Sequence, residues 1–541
     1  MGRISTQTFY RMDDYERAVA EHRSETPAAF NFGADVVDAW ARDPSKLALV
    51  WCDARGNERR LTFDAVARAS NRVANRLAAR GVAKGDRVVV MLPRIPEWQI
   101  ALTACLKLGA VPIPCITMLT ERDVGYRVRH SGAVAAITLG GETGKFADAA
   151  SFKARIAVGS PSAGWEAWQD TDAESDAFEP AAVAAEDPAI MYYTSGSTGA
   201  PKGVLHAARG LHAWRMSARY WLSLAESDTM WCTADTGWSK AGTSIYFGPW
   251  SQGSAVLFHD GPFDARRRFE LMERYRVTVF CAAATELRRL VLEDVSGLDL
   301  SALRLAVSAG ESVNPEIIDA WKRRTGVDLL DGYGQTETLM TVLNYPGMPV
   351  KPGSMGRPLP GVEAAVLDGE GRLRTRGARG RLLIRAPNPQ LMLGYWNDPE
   401  RTAAQYVEVG GSRWFVTGDT VDADEDGYLF YFGRDDDVIG SSGYRIGPQE
   451  VENALIEHPA VQESAVVGLP DPDRGQVVAA FVIPAPGFET GDALVAELQE
   501  HVKRITAPYK YPRRIEFVES LPKTVSGKIQ RGVLRSMHAG T

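Results

Sequence analysis

Along the first three quarters of the chain, short apolar runs alternate with longer stretches whose apolar residues return every three or four positions. "KLALVWC", "RVVVMLP", "VAAITLG" and "SAVLFHD" read as strands, and "FDAVARASNRVANRLAARG" as an amphipathic helix. The alternation predicts α/β architecture, a large N-terminal domain of packed sheets with helices. The texture changes after "TGDTVDADEDGYLFYF". Strands "ESAVVGL", "QVVAAFVI" and "RRIEFV" then alternate with helices "PQEVENALIEH" and "DALVAELQEHVKRI", which predicts a small α+β C-terminal domain. The join falls on the charged run Arg434–Asp437, so the domains are 1–433 and 434–541. The Ala/Asp/Glu-rich stretch 163–187 reads as a surface excursion.

One stretch breaks the pattern. "YYTSGSTGAPKGVLH", residues 192–206, is rich in glycine and hydroxyl residues and carries one lysine. Upstream, "AIMYY" reads as a buried strand. Downstream, Leu205, Leu211, Trp214, Ala218 and Trp221 fall on helical spacing, so a strand–loop–helix unit is expected. Glycines let the backbone approach a ligand, hydroxyls add donors, and Lys202 adds a mobile positive charge. A phosphate chain suits that set. A Walker A loop does not, because neither Gly196 nor Gly199 has a Gly-Lys pair five positions on. The late "VSGKI" also fails, with Pro522 where the first glycine belongs.

Composition narrows the classes. With 45% hydrophobic and 24% charged residues, the chain has ordinary globular content. A net charge of −7 argues against wholesale nucleic-acid binding, and no apolar run reaches the about 18 residues of a membrane helix, so stable membrane insertion is not expected. The N-terminus lacks a secretory core; its match to M-G-x-x-x-[ST] at Gly2 and Thr6 is too short a pattern to outweigh the rest. The five cysteines are scattered with no C-x-x-C, which points away from a metal cluster or disulfide framework and towards a reducing cytoplasm.

Four further stretches join polar residues to turn chemistry: "DGYGQTE" (331–337), "TGDT" with Asp419, "GRDDDVIGSSGYRIG" with Arg434, and "LPKTVSGKIQR" with Lys528. In this order, together with "FNFGADVVDAW", "MLPRIPEWQ", "TADTGW", "SAGESVNPE" and "TAPYKYPRRIEFV", they resemble the adenylate-forming superfamily over nearly the whole chain. The likeness is greatest to the medium-chain acyl-CoA synthetases.

The resemblance implies an acid–thiol ligase. A carboxylate attacks the α-phosphate of ATP, pyrophosphate leaves, and the thiol of CoA displaces AMP from the acyl-adenylate. ATP, CoA and Mg²⁺ are the implied co-substrates and cofactor, with a small carboxylic acid as the fourth partner. The likeness assigns the nucleotide to Thr194, Ser195, Gly196, Ser197, Thr198, Gly199, Ala200, Pro201 and Lys202 (β- and γ-phosphates). It assigns the adenine side to Gly310, Glu311, Ser312, Asp331, Gly332 and Tyr333, the ribose to Asp419 and Arg434, and adds Gly334 and Gln335 to the ATP-binding set. Lys528, Thr336 and Glu337 are the implied catalytic residues, Glu337 also binding Mg²⁺. Ser442, Gly443, Tyr444, Arg474 and Lys503 match CoA contacts, and Asp436 matches the hinge about which a mobile C-terminal domain rotates.

For the acid, the implied wall is Trp238, Lys240, Gly242 and Thr243. The last two are small where relatives often carry bulk, which hints at room for a longer or broader acid. Ala283 and Ala284 depart from two prolines common in the family and leave the local backbone open. A medium-chain fatty acid is the first expectation, with a short branched or aromatic acid next. A carrier-protein acceptor, or a non-catalytic nucleotide-binding relative, are the rival readings. The resemblance also admits a homodimer, and acetylation of Lys528 by a lysine acetyltransferase, which would remove its charge.

Overall fold

A computed structural model describes residues 9–538 apart from 24, 148–150, 197–198, 443, 473 and 525–527; the side chains of Ser195, Gly196, Gly199 and Arg445 are also outside the description. The expected strands form where the apolar runs lie. Leu47–Asp53, Ala255–Asp260, Thr229–Cys232, Val279–Cys281, Leu305–Ala309 and Leu329–Gln335 line up side by side, all in parallel register. Their near-continuous apolar sequences fit strands covered on both faces. Beyond Leu329–Gln335 the same sheet turns antiparallel through Leu339–Leu343 and Ser354–Pro358 to Leu429–Arg434 and Ser412–Ala423. The switch from parallel to antiparallel gathers the ends of Leu305–Ala309 and Leu329–Gln335 and the interior of Ser412–Ala423, at Thr417 and Asp419, into one region.

A second parallel sheet runs through Val111–Pro114, Arg87–Met91, Ala135–Leu139 and Ala154–Val158. Helix Phe63–Ala79 begins at Thr62, whose hydroxyl caps the Ala65 amide, and buries Phe63, Val66, Val73 and Leu77 on one face. A lysine is sealed inside this region. The Lys107 ammonium donates to Asp38 at 2.6 Å, to Asn71 Oδ1 at 2.6 Å and to the Ala67 carbonyl at 3.2 Å. All three of its donors are therefore used, which is what a buried charge requires. The 163–187 excursion is anchored rather than loose: Glu166–Ala167 joins the edge of this second sheet, and Arg76 pairs with Glu166 and Glu174.

The last part of the chain builds its own sheet. Val461–Asp471 and Gly475–Pro484 form a long antiparallel pair, and Arg514–Phe517, in parallel, and Ile439–Ser441 with Tyr444–Ile446 both add beside Gly475–Pro484. Helices Pro448–Ile456 and Asp492–Ile505 cover it around Val451, Leu455, Leu498 and Val502.

Candidate active site

The expected strand–loop–helix is a hairpin. Pro188–Gly196 pairs antiparallel with a second strand, Gly199–Ala207, and the helix starts only at Ala208. The cause is cross-strand burial: Met191, Tyr193, Val204 and Leu205 pack inward, a pairing that helical spacing counted from Leu205 could not reveal. Ser197 and Thr198 lie outside the described residues. Thr194 and Lys202 stand directly across the hairpin from each other. The Thr194 hydroxyl is buried without a partner among the described residues, and burial depresses the pKa of the Lys202 ammonium. Ala200 and Pro201 continue the second strand, with the Pro201 carbonyl accepting from Tyr126 at 2.9 Å. A buried orphan hydroxyl beside a desolvated cation is a poor end-state for a protein alone and a good one for an anion.

A second set of open valences lies on the main sheet. Asp419 is 3% exposed. Its Oδ2 accepts from Tyr333 Oη at 2.5 Å and from Gln335 Nε2 at 2.7 Å, while Oδ1 is buried with no hydrogen-bond partner among the described residues. Arg434, its register neighbour on the next strand, stands 3.6 Å away from Oδ1. Burial raises the Asp419 pKa, against the pull of the Arg434 charge, the two hydrogen bonds and the Lys528 ammonium.

Between these two sets lies the Thr336–Glu337 pair. The Thr336 hydroxyl is 3.2 Å from Ser239 Oγ, and its carbonyl accepts from His206 Nε2 at 2.6 Å. Glu337 accepts from Tyr395 Oη at 3.0 Å, and its carbonyl from the Met392 amide. Neither His206 nor Tyr395 was singled out by sequence. "LGYW" holds a tyrosine with no spacing relation to Glu337, and only the strand pairing of Gly394–Tyr395 with Val204–Leu205 brings it in.

On the far side, Gly310 leaves its strand at φ +93°, a conformation that favours glycine, and Glu311 and Ser312 follow half-buried. Asp331 is buried; its carboxylate accepts from the Gly332 amide at 3.0 Å and the Val313 amide at 3.3 Å, and burial pushes its pKa up to about 7. A side chain on Gly334 would sit 2.0 Å from the Leu339 carbonyl, so the strand can bend closely only with glycine there.

The four acid-wall candidates separate. Lys240 points inward and donates to the Ala309 carbonyl at 3.1 Å. Trp238 packs on the cluster of Cys115, Ile116 and Tyr193. Gly242 and Thr243 lie in a π-helical turn, Gly242–Tyr246, beside Trp214. The Trp214 indole donates to Thr243 Oγ1 at 2.8 Å, and a Cβ on Gly242 would meet Tyr192 Oη at 2.9 Å and Trp214 at 3.0 Å. The room expected from the small residue is thus taken by aromatic rings. Ala283, in place of proline, keeps φ −75° at the cap of helix Ala284–Leu290, so the backbone retains a proline-like geometry.

In the C-terminal unit, Lys528 is tied to Thr524: its amide donates to Thr524 Oγ1 at 3.2 Å and its carbonyl accepts from the Thr524 amide at 2.8 Å. Asp436 is exposed at the middle of a turn between Leu429–Arg434 and Ile439–Ser441. Ser442, at φ +51°, exchanges bonds with Arg474, its amide to the Arg474 carbonyl at 2.9 Å and Arg474 Nη1 to Ser442 Oγ at 3.1 Å. Tyr444 is 50% exposed and stacks on Tyr509 at 4.2 Å, while Lys503 lies over Tyr511 at 4.3 Å. Gly443 lies outside the described residues. The two tyrosines of "PYKYPRR" were missed, although aromatic and basic residues alternate there.

The AMP-binding enzyme family model matches residues 36–396, and the AMP-binding enzyme C-terminal domain model matches 450–528. The chain is 41% identical over 552 residues to the mouse (Mus musculus) mitochondrial acyl-coenzyme A synthetase ACSM3, covering 98% of this chain and 94% of that protein. It is 42% identical over 547 residues to human (Homo sapiens) ACSM5, covering 97% and 93%. Among solved structures, the anthranilate CoA ligase AuaEII in complex with anthranoyl-AMP superposes with TM-score 0.85 at 32% identity, covering 94% of this chain and 98% of that one. A Brucella canis acyl-CoA synthetase superposes with TM-score 0.72 at 36% identity, covering 97% of each. The chain belongs to the AMP-binding enzyme family, in its acyl-coenzyme A synthetase branch.

Proposed function

We propose that the protein joins a carboxylic acid to CoA through an acyl-adenylate, with release of pyrophosphate and AMP. The observation that carries the reading is the open Oδ1 of Asp419, held 3.6 Å from Arg434. An acceptor so placed takes the ribose hydroxyls, with Arg434 beside it. Thr194, its orphan hydroxyl facing Lys202, takes the β- and γ-phosphates with the hairpin tip, and Thr336 takes the α-phosphate.

The substrate carboxylate is itself the nucleophile, so the protein supplies no attacking group. Its task is to bring two anions together and hold the charge that develops. Lys528 does this by contacting carboxylate and α-phosphate at once. Glu337 offers one carboxylate that, among the described residues, is hydrogen-bonded to a neutral phenol rather than paired with a cation, which would suit Mg²⁺ held mostly by phosphate oxygens and water. Bound there, Mg²⁺ supplies positive charge to the leaving pyrophosphate.

The second half-reaction needs a different face. We place the domain boundary at 433/434 and the hinge at Asp436, exposed in its turn. Rotation there withdraws Lys528 and brings Ser442, Tyr444, Arg474 and Lys503 to CoA, Arg474 and Lys503 serving its phosphates. The cytoplasm is the proposed compartment: all five cysteines are free and buried. The mouse and human relatives are named mitochondrial, so imaging of a tagged copy tests the compartment. Among the described residues no helix is long and apolar enough to cross a membrane. A homodimer and acetylation of Lys528 complete the proposal, tested by light scattering and by mass spectrometry of protein from cells.

A medium-chain fatty acid is the proposed substrate. The filled space around Gly242 favours a second reading, a short branched or aromatic acid. Incubating the enzyme with ATP, Mg²⁺ and a panel of straight-chain, branched and aromatic acids, with and without CoA, separates these by mass spectrometry. An acyl-CoA from one class names the substrate. Acyl-adenylate unchanged by CoA would move the acceptor to a carrier protein.

A further inference from the structure

We infer that Tyr395 is a positioning residue for the pyrophosphate-releasing half of the reaction, setting Lys202 and Glu337 together before nucleotide arrives. The inference rests on the assignment of those two residues to the phosphates and to Mg²⁺. The tyrosine touches both. Its hydroxyl donates to Glu337 Oε1 at 3.0 Å, and its ring carries the Lys202 ammonium 4.7 Å from the centroid.

The ring has little freedom to do anything else. It is 7% exposed. Gly394–Tyr395 pairs with Leu205 and Val204, the Leu393 amide donates to the Leu205 carbonyl at 2.8 Å, and the Trp396 amide to the Gly203 carbonyl at 2.7 Å. The Tyr395 amide is itself bound by Thr402 Oγ1 at 2.9 Å. The Met392 amide holds the Glu337 carbonyl at 2.9 Å, so backbone and side chain of Glu337 are fixed by the same short segment.

The chemistry of the contacts matters more than their number. Were Lys202 parked on a carboxylate, each charge would cancel the other and phosphate would have to break an ion pair. A neutral phenol orients the carboxylate and leaves its charge for a cation. A ring face holds the ammonium weakly enough to be given up to an anion.

Lys202 and Glu337 act on the group that leaves before CoA enters, which gives the inference a readout that a merely structural role would not produce. The full-length Tyr395→Phe and Tyr395→Leu variants are compared with wild type, with Lys202→Ala and Glu337→Gln alongside. Three quantities are measured: pyrophosphate release from ATP and acid, acyl-CoA formation from supplied acyl-adenylate and CoA, and ATP binding by calorimetry with and without Mg²⁺. Tyr395→Phe is expected to slow the first by about tenfold, the size of one hydrogen bond to a charged group, and to weaken the Mg²⁺ dependence of ATP binding. Tyr395→Leu, which also removes the ring, is expected to slow it by about a hundredfold and to weaken ATP binding without Mg²⁺ as well. Both should keep the second half-reaction within about twofold, the scatter expected where no contact is lost.

First-half rates of both Tyr395 variants near wild type, with Lys202→Ala and Glu337→Gln defective, would overturn the inference. Equal loss of both half-reactions would overturn it too, by showing a purely structural role. If Lys202→Ala and Glu337→Gln themselves release pyrophosphate normally, the underlying assignment fails instead.

Discussion

Tyr333 donates its phenol hydrogen to Asp419 at 2.5 Å, and this bond, with that from Gln335, saturates one carboxylate oxygen while the other is buried without a donor among the described residues. The arrangement aims Asp419. Asp419→Asn puts an amide donor where an acceptor is needed, and is expected to lower adenylation by about 10²-fold. Tyr333→Phe only loosens the aim and should cost about tenfold. Steady-state pyrophosphate release at varied ATP checks both, with the loss in KM for ATP larger for Asp419→Asn.

Asp331 gives a pH signature. Its folded pKa, about 7, lies above the ordinary carboxylate value because burial disfavours the charge. The folded state therefore binds a proton the unfolded chain has released, so this site's contribution to stability is full below about pH 4 and is lost as pH rises towards 7. Thermal melts of Asp331→Asn should show a flatter dependence between pH 5 and 8 than wild type. Parallel curves would contradict the assignment.

The histidines work in the opposite direction. Burial lowers His206, His212 and His259 to about 4 each. The unfolded chain takes up protons that the folded state refuses, so stability is present above about pH 6.5 and falls as pH drops from there towards 4. Denaturant titrations at pH 7 and pH 5 should show the loss. Of the three, His206 also bonds the Thr336 carbonyl, and His206→Gln, which keeps a donor in that position, should retain activity better than His206→Leu.

The buried Lys107 supports a stability prediction remote from the site. Lys107→Met leaves the Asp38 carboxylate and the Asn71 amide without their donor, and should cost about 3 kcal/mol or more. The shift in the denaturation midpoint measures it, with pyrophosphate release per folded molecule unchanged.

What the sequence disclosed follows from where the signal is local. Helix Phe63–Ala79 and the strand pair Val461–Asp471 and Gly475–Pro484 were legible because one buried face imposes its period on the residues themselves. The second strand of the hairpin was not, since Gly199–Ala207 owes its conformation to Pro188–Gly196 and offers little alternation of its own. Site residues in ordered motifs, Asp419, Glu337 and Lys528 among them, could be named from resemblance. Tyr395 could not, because it meets Lys202 and Glu337 across long separations in the chain. The space beside Gly242 was misjudged for the same reason: Trp214 fills it from another helix.

The central claim is that one lysine serves the first half-reaction and is withdrawn for the second. Lys528→Ala, assayed separately for acyl-adenylate formation from ATP and acid and for acyl-CoA formation from supplied acyl-adenylate, tests it most directly. Loss of the first by about 10²-fold or more, with the second largely kept, is the expected result. Equal loss of both would contradict the account.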